Sequence, residues 1–196
     1  MLSSRFKSTA FALSLATSMG VGLIAAQAAT YTIDPSHSFI KFETNHLGFS
    51  KLSGEFNKFS GTLNYDPEAG AAAQQVKVEI DTASIDTNWA DRDKHLRSGD
   101  FFDVSKFTTA VFESTGYQGD ANGGTLTGNL TLLGVTKEVS FPIVKIGEGK
   151  DPWGGYRVGF EGKYTLTRKD FGMDFNVGPK AETVDVTLQI EAIKDK

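Results

Sequence analysis

The sequence predicts an all-β, antiparallel fold of about eight strands with one short helix. Three observations support this fold class: apolar and polar residues alternate over most of the chain, turn-forming residues separate the alternating segments, and only one segment is compatible with a helix. Strands with one apolar face can close as a sandwich or as a barrel. The alternation alone favours neither.

The N-terminus has the three parts of a cleaved secretory signal. Arg5 and Lys7 are basic, residues 11–26 carry no charge, and small residues occupy Ala26 and Ala28. A membrane anchor is the alternative, but the stretch lacks the roughly 20 strongly apolar residues that a spanning helix needs. We therefore predict a signal peptide at 1–28, a single mature domain at 29–196 and a periplasmic location.

Each alternating segment is predicted to be a strand with one apolar and one polar face. In chain order these strands are Ile40–His46, Glu55–Tyr65, Val76–Asp81, Thr108–Tyr117, Leu126–Leu132, Glu138–Gly147, Phe160–Leu166 and Val184–Glu191. The alternation slips between Phe56 and Phe59, which predicts a bulge near Lys58. Hairpin turns or loops are predicted at Asp66–Gly70, Gly119–Gly124, Leu133–Thr136 and Asp151–Gly155.

The predicted inner face mixes large and small residues. The large ones are Phe42, Phe112, Leu132 and Tyr164, and the small ones are Gly54, Gly61, Ala110, Gly128 and Gly162. Small inward residues either leave room for a ligand or mark bends and close packing. An outer-membrane barrel would turn the apolar faces outward, but the long polar loops and the helix favour a soluble barrel.

The one segment without alternation, Asn88–Ser98, is predicted to be a helix that stops near Gly99. Trp89, Arg92 and Leu96 share one face, and Asp91 lies four residues before His95, a spacing that permits a pair. Two hypotheses follow. The helix is either a lid whose Arg92 or His95 meets a polar head group, or a plug anchored by Trp89, Leu96 and Phe101.

Composition excludes several function classes. The chain has no cysteine, which removes thiol catalysis and thiolate metal sites. The net charge of −4 argues against nucleic-acid binding. Serine-nucleophile, phosphate-loop and dinucleotide-binding motifs are missing, so we predict that the protein is not an enzyme.

The three histidines are His37, His46 and His95. A three-histidine metal site would require them to converge, and no metal is expected because His37 and His46 would face opposite sides of one continuous strand. His46 ends the apolar face of its strand, where it either bonds a turn carbonyl or contacts a lipid head group at the barrel mouth.

Three motifs together resemble the YceI-like family of bacterial periplasmic proteins over nearly the whole mature chain. They are Tyr31–Ser38 with His46–Ser50, Asp86–Asn88 with Arg92–Asp103, and Leu132–Lys137 with Asp151–Gly155. The resemblance implies a lipocalin-like antiparallel β-barrel that binds a polyisoprenoid or similar lipid. It also implies a link to stress responses. As a partner it implies an inner-membrane cytochrome b561-type protein, which indicates an isoprenoid or quinone-like ligand. No cofactor is expected.

We therefore predict a periplasmic carrier with a long-chain isoprenoid lipid in an apolar lumen. The predicted ligand-binding residues are Ile40, Phe42, His46, Trp89, Arg92, His95, Ala110, Phe112, Leu130, Leu132 and Tyr164. The alternatives are an enzyme or metal-dependent protein that uses Asp91, Arg92 and His95, and a sandwich that serves only as an interaction module. The oligomeric state stays open, with a homodimer among the options.

Overall fold

The structure is a computed structural model that describes residues 28–66 and 75–196. The predicted signal peptide, except Ala28, and most of the predicted loop at Asp66–Gly70 lie outside the described residues. Within these two ranges, no helix combines the length and the apolarity needed to span a membrane.

The described chain forms eleven strands, one α-helix and three short 3₁₀ turns. The strands are β1 (Ala29–Ile33), β2 (Phe39–His46), β3 (Ser50–Phe56), β4 (Phe59–Tyr65), β5 (Gln75–Asp81), β6 (Ile85–Asp86), β7 (Thr109–Asp120), β8 (Gly123–Leu132), β9 (Val135–Lys150), β10 (Tyr156–Thr167) and β11 (Thr183–Lys194). The helix α1 spans Ala90–Leu96, and the 3₁₀ turns span Thr82–Ser84, Arg168–Phe171 and Pro179–Ala181.

The strands close into a barrel, and this resolves the choice between barrel and sandwich. The antiparallel ring runs β1-β4-β5-β7-β8-β9-β10-β11 and closes because β11 pairs with β1. The short pairing that closes the ring joins Tyr31 to Lys194 and Ile33 to Ala192. The predicted all-β, lipocalin-like barrel of about eight strands with one helix is therefore confirmed.

The structure has a first strand that was not predicted, and two predicted strand features are wrong: one continuous strand containing His37 and His46, and a bulge near Lys58. A turn at Asp34–Ser38 separates the unpredicted β1 from β2, although both strands pair with β11. His37 lies in that turn, so it does not share a continuous strand with His46. Near Lys58 the chain breaks between β3 and β4 where a bulge was predicted, because the backbone N–H groups of Asn57 and Lys58 both bond to Ser84.

The helix is shorter than the predicted Asn88–Ser98, and Gly99 does not end it. α1 ends at Leu96, and Arg97 is its C-cap in a right-handed conformation. The Arg97 guanidinium donates to the carbonyl oxygens of Ala83, at 2.8 Å, and Ile85. Gly99 itself has no positive φ and nothing within 4 Å of an added Cβ, so no glycine is needed there.

Two of the glycines predicted on the inner face, Gly54 and Gly128, are packed closely against aromatic rings. A Cβ atom at Gly54 would lie 2.5 Å from Cζ of Phe42, its cross-strand partner, and one at Gly128 would lie 2.5 Å from Cζ of Phe112. Both distances are far below van der Waals contact, so these glycines accommodate neighbouring aromatic rings. The hypothesis that Gly54 and Gly128 leave room for a ligand is wrong, and the close-packing alternative holds for both.

Candidate functional site

The barrel encloses a cavity of about 610 Å³ with a predominantly apolar wall. Most of its apolar lining residues come from two core clusters. The cluster beside α1 contributes Phe101, Ala110, Leu132, Phe141, Leu166 and Met173, and the cluster beside β1 contributes Ile40, Leu63, Tyr65 and Val78. The volume lies within the roughly 300–1,000 Å³ of small-molecule sites. The inward-facing strand positions therefore line a hollow interior.

All eleven residues predicted to bind a ligand lie on the wall of this cavity. Ile40, Phe42 and His46 come from β2, Ala110 and Phe112 from β7, Leu130 and Leu132 from β8, Tyr164 from β10, and Trp89, Arg92 and His95 from α1 and its N-cap. The period-two pattern places the strand residues on one face. Their binding of a ligand stays a prediction.

The polar side chains of α1 bond mainly to the protein itself. Arg92 donates to Oγ1 of Thr87 at 2.7 Å and to the Thr87 carbonyl oxygen at 2.6 Å. The buried carboxylate of Asp93 accepts hydrogen bonds from the backbone N–H and the hydroxyl of Thr87. The Arg92 guanidinium also lies over the Trp89 ring, 5.3 Å from its centre. Thr87 thus anchors the start of the helix.

The spacing in the sequence suggested a pair between His95 and Asp91, but His95 pairs with Asp100 instead. Its Nε2 lies 2.9 Å from Oδ2 of Asp100. Its ring packs edge to face against the rings of Phe101 and Phe175, with 5.1 Å between ring centres in both pairs. This packing fixes the imidazole at the rim of the cavity. Trp89 is 59% exposed and so cannot be the anchor of a plug, whereas Leu96 packs against the core and Phe101 belongs to it.

The site contains a residue that the sequence reasoning missed. Arg168 lines the cavity at the α1 end and is only 7% exposed. It follows β10 in a run of polar residues, Thr167-Arg168-Lys169-Asp170, that reads as a solvated turn. Burial lowers the pKa of its guanidinium, and the neighbouring carboxylates of Glu182 and Asp174 act in the opposite direction.

The end of the cavity near β1 is also polar. Tyr117 donates from its hydroxyl to the Asp120 carbonyl oxygen at 2.6 Å, and the Lys145 ammonium lies 3.4 Å from the Tyr65 hydroxyl. Lys145 forms an ion pair with Glu148 at 2.8 Å, and this hydrogen bond raises the pKa of the ammonium group. Both ends of the cavity thus carry polar groups.

The described residues contain one group of possible metal ligands, and of the three histidines only His37 belongs to it. Among the described residues, ligand atoms come within 4.8 Å of one another only for Asp34, His37 and Glu191. A cation already lies there, because Nη1 of Arg157 is 2.7 Å from Asp34 and also bonds Glu191, while its Nε donates to Asp151 at 2.9 Å. The ion network joins two of the sequence motifs and fixes the turn between β1 and β2.

Comparison with known proteins places this barrel in a family. Residues 31–192 match the YceI-like domain. A UPF0312 protein of Pseudomonas aeruginosa (strain LESB58) is 52% identical over 171 residues, which cover 86% of this chain and 89% of that protein.

Two solved structures share the fold. BcnA of Burkholderia cenocepacia matches with a TM-score of 0.72 and 22% identity, covering 81% of this chain and 98% of BcnA. A polyisoprenoid binding domain from Saccharophagus degradans matches with a TM-score of 0.64 and 14% identity, covering 86% of this chain and 99% of that domain. From the domain match and the sequence identity together, the chain belongs to the YceI-like family.

Proposed function

We propose that this protein is a periplasmic carrier that binds a polyisoprenoid or similar long-chain lipid inside its barrel, without catalysis. The observation that carries the proposal is the cavity of about 610 Å³ with its predominantly apolar wall. A solved structure of the same fold, from Saccharophagus degradans, is described as a polyisoprenoid binding domain. The roles in stress responses and with a cytochrome b561-type partner stay predictions.

Burial of the lipid chain supplies enough free energy for binding. Each CH₂ group removed from water contributes about 0.8 kcal/mol, so a five-carbon isoprene unit contributes about 4 kcal/mol. Association costs an estimated 4–15 kcal/mol. A few buried units therefore exceed that cost without any charged contact, which suits a wall made mainly of Phe, Leu, Ile and Val side chains.

The test is native mass spectrometry of protein recovered from the periplasm of its own host. We expect a bound species of lipid mass that is released on denaturation, and uptake of a long-chain prenol by the delipidated protein. Stoichiometric metal or substrate turnover would favour the alternative that uses Asp91, Arg92 and His95. If no lipid co-purifies and the delipidated protein takes up no prenol, the proposal is contradicted.

Ala110→Leu supplies a variant that reduces the cavity volume. Ala110 lines the cavity and is 6% exposed, so a larger side chain there competes with the ligand for space. The matched control is Ala83→Leu, the same chemical change at an exposed position outside the cavity. We expect Ala110→Leu to lower the amount of bound lipid and Ala83→Leu to leave it unchanged.

A further inference from the structure

Arg168 is the most buried cationic side chain on the cavity wall. It is 7% exposed, whereas the histidine and arginine of α1 lie at the rim. Its Cζ lies 5.9 Å from the centre of the Phe101 ring, and Phe101, Met173 and Ala181 line the cavity beside it. The charge of Arg168 is therefore placed at the boundary between the protein core and the ligand space.

The bonds that Arg168 makes do not use all of its donors. Its Nε donates to the Ala181 carbonyl oxygen at 2.8 Å, its Nη2 to that of Phe175 at 3.1 Å, and its Nη1 to that of Met173 at a long 3.5 Å. A guanidinium group has five N–H donors. Two of them remain, and the Nη1 bond is weak.

The charge of Arg168 also forms no ion pair at contact distance. Among the described residues no carboxylate oxygen lies within 4.0 Å of its guanidinium nitrogens. Glu182 and Asp174 act on the charge only from farther away, and Glu182 lies 3.4 Å from the ammonium of the neighbouring Lys169. Three carbonyl oxygens carry only partial charges. A buried charge is costly unless it is paired and hydrogen-bonded, so an anion from the cavity would complete this site.

We propose that Arg168 binds the anionic head group, a carboxylate or a phosphate, of the lipid that occupies the barrel. The inference rests on the proposed function and adds to it the position and the charge of the head group. The lipid chain then extends from Arg168 toward the β1 end of the cavity, along the apolar side chains of β7 to β10. Arg92 and His95 at the rim contribute less, because Thr87 and Asp100 already bond to them.

The experiment compares matched anionic and uncharged lipids on the delipidated full-length mature protein. Farnesyl phosphate is compared with farnesol, and laurate with dodecanol, by their displacement of the uncharged fluorescent probe N-phenylnaphthylamine. The variants are Arg168→Met, which removes the charge at similar length, and Arg168→Lys, which keeps the charge but not the planar group. Lys169→Met is the control, because it removes the same charge from an exposed neighbour.

We expect the parent protein to bind the anion of at least one pair about tenfold more tightly than the matched alcohol, as charged hydrogen bonds imply. Arg168→Met should abolish this preference by weakening anion binding alone, Arg168→Lys should keep part of it, and Lys169→Met should keep all of it. A preference confined to farnesyl phosphate identifies a lipid phosphate, and one confined to laurate identifies a fatty acid.

Two results would overturn the inference while leaving the carrier function intact: equal binding of anion and alcohol by the parent, or an anion preference that survives in Arg168→Met. Should Arg168→Met not fold, the ratio measured on the parent and the comparison of Arg168→Lys with Lys169→Met decide the question. Failure of all four lipids to displace the probe would overturn the proposed function together with the inference.

Discussion

Gly128→Ala tests whether the aromatic rings of the barrel wall are closely packed. A Cβ atom at Gly128 would lie 2.5 Å from Cζ of Phe112 and 2.6 Å from the carbonyl oxygen of Glu113, where ordinary contact begins near 3.4 Å. To relieve the contact, the Phe112 ring, which lines the cavity, would have to shift, and the backbone oxygen cannot move without its strand. Overpacking of this kind costs about 1–3 kcal/mol.

The measurement is thermal unfolding of delipidated protein, because a bound ligand raises the apparent stability. For a chain of this size each kcal/mol lowers the melting temperature by about 2–4 °C. Gly116→Ala is the matched control on β7, since nothing lies within 4 Å of its added Cβ. The control should be neutral or gain about 0.4–1 kcal/mol through the unfolded state. Equal melting temperatures for the two variants would refute the close-packing argument.

Three further predictions concern the helix, the ion network and the N-terminus. Leu96→Ala should destabilise the fold by about 2 kcal/mol, the low end for a Leu→Ala change because the side chain is only partly buried. His95→Ala should leave the melting temperature nearly unchanged, and the reverse order would contradict the packing of Leu96 against the core. Hydrogen bonds from the Ser36 hydroxyl and then from Arg157 hold the pKa of Asp34 well below its usual range. The ionised carboxylate therefore stabilises the folded protein fully above about pH 4, near the pKa of an unfolded aspartate, and this contribution is lost as Asp34 becomes protonated in stronger acid. Urea unfolding at pH 5 and pH 3 should show a smaller loss for Arg157→Met than for the parent. Intact-mass analysis of exported protein should give a chain that begins at Ala29, and retention of residues 1–28 would contradict the predicted cleavage.

The sequence was sufficient to predict which large side chains of the strands face the cavity, for a simple physical reason. Side chains alternate across a strand, so an apolar residue at every second position marks one face regardless of the strand's neighbours. Phe42, Phe112, Leu132 and Tyr164 were identified in this way, and all four line the cavity. The closure of the barrel was not predictable from this pattern, because it depends on the pairing of Tyr31 with Lys194 across the whole chain.

Arg168 and the ion network of Arg157 escaped prediction because no periodicity marks them. A charged residue that follows a strand is usually solvated, and the burial of Arg168 arises from the later segment that contains Met173 and Ala181. Similarly, Asp34 and Arg157 lie 123 residues apart and meet only in the folded barrel. Contacts at such separations leave no mark on the local sequence around either residue.

The pairing of β1 with β11 also has a consequence for the timing of folding. The ring needs β11 on one side and β4 on the other side of β1, so the first and last strands of the described chain are direct neighbours. A ribosome makes β1 long before it makes β11, so the ring cannot close until β11 has been synthesised and released from the ribosome. Until then the edge of β1 that will pair with β11 stays unpaired, and an unpaired strand edge can pair with another chain.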